Sequence, residues 1–136
     1  MGHSDGGTIG LIFAACRPKR VTSLVTVAAH IYVEPKMESG IQGVRQAYET
    51  DAKFHQALQN VHGDKADTVF YAWFNGWHKE ENLSWELRDA LTQITCPVLV
   101  VQGLEDEHAM PQHAHDLAAA IPVDAEHAGA QVWLVE

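Results

Sequence analysis

Cysteine is scarce in this chain. Cys16 and Cys96 are its only two thiols among 136 residues, too few for the disulfide framework of a small secreted scaffold. Two buried thiols in a reducing, cytoplasmic setting are the expectation. Positive charge is scarce as well: 9 Lys and Arg stand against 18 Asp and Glu, for a net charge of -9. Nucleic acid and anionic membrane both reward basic patches, so neither is expected as a partner. The apolar run Leu11–Cys16 is far too short to span a bilayer, and no charged-then-apolar leader precedes it. Repeats, low-complexity tracts and flexible linkers do not occur. The nine histidines include no H-E-x-x-H or H-x-x-E-H spacing, and no C-x-x-C exists, so neither a metal nor another cofactor is expected.

What is present is 46% hydrophobic sequence, enough for one modest core. Thr8 to Cys16 reads as a buried helix stopped at Arg17-Pro18. Val21 to Ala28 is β-branched and nearly uncharged, the texture of a parallel strand covered on both faces. From about Glu34 to Ala90 the chain turns polar and helical, with breaks at Gly63-Asp64 and Asn82. Phe70, Trp73 and Trp77 fall there at helical spacing and share a face. Cys96 to Gly103 is a second strand. Pro111 opens a helix running to about Ala120, and Gln131 to Val135 is a third strand. Strand and helix alternate around one helical insertion, which predicts an α/β protein with a parallel sheet. The division is 1–33 core, 34–94 helical insertion and 95–136 core.

The chemistry concentrates at the start. Gly2-His3-Ser4-Asp5-Gly6 is a G-x-S-x-G sequence leading straight into a helix. In that pattern a serine sits on a sharp strand-to-helix turn, and both glycines are expected because the turn leaves no room for a Cβ. The Asp5 N–H, at the helix start, would face an oxyanion. Asp106 follows the carboxyl end of the second strand, where α/β enzymes place functional carboxylates. The order serine, then acid, fits this reading.

With these motifs quoted, the chain resembles the α/β-hydrolase superfamily, close to small serine hydrolases of the valacyclovirase-like kind. The likeness covers GHSDGG, the insertion stretch VHGDK, ITCPVLVVQG, and Asp106 followed by Pro111. It implies a partial α/β-hydrolase fold with a helical cap, and an ester- or amide-cleaving enzyme working through an acyl-enzyme. Ser4 would be the nucleophile, Asp106 the acid and the Asp5 N–H an oxyanion donor. The resemblance also implies that the first strands and the loop carrying the catalytic histidine lie outside this sequence. The Val21 to Ala28 strand would then lack its inner neighbour, and the chain alone would be nearly inert. His3, His108, His113 and His115 are expected to be surface or supporting histidines.

Asp5 has two readings: it meets a cationic group of a small ester substrate, or it is an acid favourably placed at a helix start. Trp73 and Trp77 likewise either fill the core of the cap or line a substrate pocket. Two other functions stay open. One is a non-catalytic truncated remnant that folds by homo-oligomeric strand pairing, whereas the enzyme reading expects a complementing hydrolase half as partner. The other, weaker, is an anion-binding module at the glycine-rich helix start.

Overall fold

The computed structural model describes residues 1–78, 82–106 and 108–136. The chain divides into two compact units, Met1–Tyr32 with Glu86–Glu136, and Val33–Trp85.

The first unit is built on four parallel strands in the order β1-β2-β3-β4: β1 (Gly2–His3), β2 (Leu24–Val27), β3 (Val98–Gly103) and β4 (Ala130–Val135). Helix α1 (Asp5–Cys16) packs on β1 and β2, and α6 (Gln112–Ala120) on β3 and β4; the short α5 (Arg88–Leu91) touches both helices. Burial alternates along the strands. Leu24, Thr26, Val98, Val100 and Gln102 are buried beneath these helices, whereas Val25, Val27, Leu99 and Val101 are only half-buried. A β-strand turns successive side chains to opposite faces. The helices therefore cover one face of this sheet.

Two expectations change here. The Val21 to Ala28 segment is covered on one face rather than both, because its uniformly apolar sequence hides which side carries a helix layer. It also has a neighbour on each side, since Gly2–His3 pairs with Thr26–Val27 in register; among the described residues the edge strands of the sheet are β1 and β4. Helix α1 departs from its reading as a buried helix too. Leu11 and Ala14 are fully enclosed, yet Ile9 is 64% exposed and Phe13 52%.

The insertion boundary lies earlier than residue 94. Leu87, Leu91 and Ile94 are buried, and the Leu87 N–H donates to the Ile31 carbonyl at 2.8 Å, so Glu86–Ile94 belongs with the sheet unit. The second unit consists of α2 (Pro35–Thr50), α3 (Ala52–His62) and α4 (Ala66–His78). Met37, Ile41, Tyr48, Phe70 and Phe74 form its core, and Trp73 and Trp77 pack against that cluster. A break between α2 and α3 escaped the sequence reading. Asp51 makes it: its carboxylate accepts from the Lys53 and Phe54 N–H groups, the satisfaction of orphan donors that starts a new helix.

Candidate active site

Ser4 occupies the single residue between β1 and α1, with φ 51° and ψ -126°. That conformation is costly for a residue with a Cβ, of order 1–3 kcal/mol, and persists only where the surroundings impose it. The surroundings are visible. The Ser4 N–H donates to the Val27 carbonyl at 2.8 Å, and the Ser4 carbonyl accepts from Gly7 at 2.8 Å and Thr8 at 3.2 Å. The backbone is thus clamped on both sides while the hydroxyl makes no capping bond to the helix. Asp5 stands at the first helical position, where the N–H has no carbonyl a turn behind it within the helix.

The glycines divide unevenly. A Cβ at Gly2 would enter the van der Waals shell of the Gly6 carbonyl group, so Gly2 is required by the turn. At Gly6 a Cβ would meet nothing within 4 Å among the described residues, which corrects the expectation that both flanks are closed. The second tight position is Gly7, whose Cβ would lie 2.9 Å from that of Ala29. Gly7 brings α1 against the end of β2, a role that lies outside the five-residue motif.

Asp106 lies in the loop after β3. Its Oδ2 accepts from Gln102 Nε2 at 2.8 Å, and its Oδ1 accepts from the His108 N–H at 2.8 Å and the Ala109 N–H at 3.1 Å. Partial burial pushes the carboxyl pKa up, but the His108 and Ala109 amides and the Gln102 side chain outweigh it, holding Asp106 below the usual range. It is ionised at neutral pH. Gln102 is 1% exposed and was not singled out from sequence. Its signal was there: a glutamine at an inward-facing position of an otherwise apolar strand needs a buried partner.

The structure sets Ser4, Asp5 and Asp106 at the carboxyl edge of the same sheet. Ser4 follows β1, Asp106 follows β3, and β2 lies between. Two strand spacings put β1 and β3 roughly 10 Å apart.

Behind this edge the loop after β2 is fixed by a second buried set. The Thr8 hydroxyl donates to the His30 carbonyl at 2.7 Å. The fully buried His113 accepts the Ile31 N–H on Nδ1 at 3.3 Å and stacks on Tyr32 at 4.0 Å between ring centroids. Tyr32 in turn donates to Asp116 at 2.9 Å. His115, two positions on, is exposed, as the helical spacing predicts. Trp73 and Trp77 belong to the second unit. Trp77 lines a cavity of about 230 Å³ there with Glu34, Met37, Ile41 and Leu83, while the Trp73 ring lies 5.8 Å from that of Phe70. Among the described residues no group of acidic, histidine and cysteine side chains could hold a metal ion, and no helix is long and apolar enough to cross a membrane.

A parallel sheet with a strained serine between strand and helix, and an acid after a later strand, defines a class. The parallel four-stranded sheet flanked by helices is the fold of about half of an α/β hydrolase. No family model matches it. It is similar to serine hydrolase BPHL of Mus musculus, 29% identical over 117 residues that cover 84% of this chain and 40% of that protein. Among solved structures it is similar to an alpha/beta fold family hydrolase from Bacillus anthracis str. Sterne, with TM-score 0.67, 16% identity, and coverage of 99% of this chain and 58% of the other. A hydrolase from Pseudomonas aeruginosa PA01 matches with TM-score 0.59 and 25% identity, over 98% of this chain and 54% of that one. The chain thus spans less than two thirds of the length of each of these relatives.

Proposed function

We propose that this chain carries the nucleophile and the acid of a serine hydrolase that cleaves carboxylic esters or amides through an acyl-enzyme. The observation that carries the reading is the backbone of Ser4, held at positive φ by bonds on both sides with its hydroxyl left out of the helix cap. Strain of that kind at a serine is a device for presenting an oxygen.

Ser4 Oγ would attack the substrate carbonyl carbon while its proton passes to an imidazole. The oxyanion so formed would meet the Asp5 N–H. Collapse expels the alcohol or amine, which takes up that proton, and water then hydrolyses the Ser4 ester. Asp106, ionised, would orient the imidazole and stabilise its positive charge. The imidazole is proposed to come from outside these 136 residues, as His113 is committed to Ile31. The carboxylate of Asp5, and the rings of Trp73 and Trp77, are proposed substrate contacts, with the helical unit in the role of cap. The two cysteines are unbridged, Cys96 buried as expected but Cys16 exposed; their free state suits a proposed cytoplasmic location.

An active-serine phosphonate probe, with free imidazole added as a surrogate base, tests this. Stoichiometric labelling at Ser4, accelerated by imidazole and abolished in Ser4→Ala, is the expected result. A folded sample that stays unlabelled at Ser4 with imidazole present would sink the reading.

A further inference from the structure

Among the described residues, two that carry a Cβ are held at positive φ, Ser4 at 51° and Ala28 at 50°. They are neighbours. His3 pairs with Val27 in register, so Ser4 and Ala28 each stand one step past the last pair of β1 and β2. The Ser4 N–H donates to the Val27 carbonyl at 2.8 Å, and the Ala28 N–H donates to the Val101 carbonyl at 3.0 Å. The Val27 carbonyl and the Ala28 N–H belong to one peptide unit. That single plane therefore joins the two turns. Glycine adopts such a φ freely and a residue with a Cβ does not, so both turns relax unless their surroundings oppose it.

The opposition at Ala28 comes from two residues further along, where His30 meets Thr8 of the first turn of α1. Both are buried, at 5% and 8% exposure. The Thr8 hydroxyl donates to the His30 carbonyl at 2.7 Å and accepts the His30 N–H at 3.2 Å. A hydroxyl can do both at once, and buried main-chain groups need partners. The Thr8 N–H meanwhile donates to the Ser4 carbonyl at 3.2 Å. Thr8 thus holds Ser4 through its main chain and the Ala28 loop through its side chain. It lies outside the G-x-S-x-G motif, and a position that only packed α1 on the sheet would be filled as well by valine.

We propose, resting on the serine reading above, that Thr8 is a positioning residue for Ser4. By clamping His30 it keeps Ala28 in its strained turn. The Val27–Ala28 peptide then stays where it holds the Ser4 backbone, and the Ser4 hydroxyl stays presented.

The rate of Ser4 labelling by the phosphonate probe, with imidazole present, tests this at a temperature where each chain is folded. Thr8→Val should slow labelling by about tenfold or more, the order that a small misplacement of a reacting group costs. Thr8→Ser keeps the hydroxyl and should stay near the parent rate. Ala28→Gly added to Thr8→Val should restore the rate, because glycine needs no clamp at positive φ. Ile121→Val, a buried change at the end of α6, lowers stability away from the turn and should leave labelling near the parent rate. The proposal is overturned if folded Thr8→Val labels like the parent, if Thr8→Ser is as slow as Thr8→Val, or if Ile121→Val slows labelling equally. It is overturned too if Ala28→Gly fails to restore the slow variant. Where Thr8→Val alone does not fold, the double variant decides: the parent rate supports the clamp, and a slow or unfolded double variant refutes it. A parent chain that stays unlabelled sinks the serine reading alone. Hydrogen exchange then judges the clamp: Thr8→Val should speed exchange of the Ser4 amide and Ala28→Gly should reverse that, whereas unaltered Ser4 exchange refutes it.

Discussion

Gln102 donates its side-chain amide to Asp106 across 2.8 Å, joining a buried strand residue to the carboxylate of the loop that follows. A glutamine in an apolar strand has few ways to satisfy its amide. This one does so by fixing the acid.

Replacing Gln102 with leucine should therefore raise the Asp106 carboxyl pKa toward the ordinary aspartate value, and Gln102→Glu should raise it further by placing like charges together. Carbon-detected NMR titration of the Asp106 carboxyl group reads both. In the parent chain the depressed pKa stabilises the folded state above the unfolded aspartate value, and that contribution is lost as pH falls through the folded one. Gln102→Leu should flatten the acid limb of the melting curve. An unchanged Asp106 titration would remove Gln102 from its positioning role.

The elbow glycines should respond differently. Gly2→Ala drives a methyl group into the Gly6 carbonyl and should cost about 1–3 kcal/mol in urea unfolding, the usual scale of overpacking. Gly6→Ala points its methyl group into open space and should be neutral, or stabilising by up to about 1 kcal/mol through helix propensity. Equal losses at the two positions would contradict the geometry of the turn.

His113→Ala should be among the costlier single changes in the sheet unit. It empties a fully buried site and removes the acceptor of the Ile31 N–H. The expected loss is about 2–4 kcal/mol by denaturant unfolding, from cavity and orphaned donor together. His115→Ala, on the exposed side of the same helix, should change stability by less than about 0.5 kcal/mol.

Tyr48 offers a spectroscopic check on the helical unit. Burial, and then its hydrogen bond to Asp67, push the phenol up to about 12. Ultraviolet titration should show a tyrosine ionising near that pH, well above the ordinary tyrosine range, and Tyr48→Phe should delete that step. Its survival in the variant would show that the ring stack of Tyr48 on Phe70, 3.8 Å between centroids, does not shield the phenol as described.

The order of elements was legible in the sequence because β-branched runs and helical periodicity are local signals. Val98–Gly103 and the serine turn emerge almost where the residues place them. Sidedness was not legible. Val25 and Val27 read like Leu24 and Thr26, and nothing local tells which of them meets α1. The same limit explains α1 itself, whose apolar sequence announces burial on every side while the sheet unit encloses only one. Gly7 and Gln102 were overlooked for a related reason: each acts on a residue distant in sequence or outside the motif, Gly7 on Ala29 and Gln102 on the loop acid.

The antiparallel bridge between Tyr32 and Glu86 carries one more consequence. It fastens together the two points at which the chain leaves the sheet unit and returns to it. Seen from the sheet, the whole Val33–Trp85 excursion is a hairpin loop of unusual length, and loop length weighs only logarithmically on closure. A tight connector of a few residues should replace it without disturbing the strands. The scaffold is thereby free to exchange one helical module for another while its strands stay as they are.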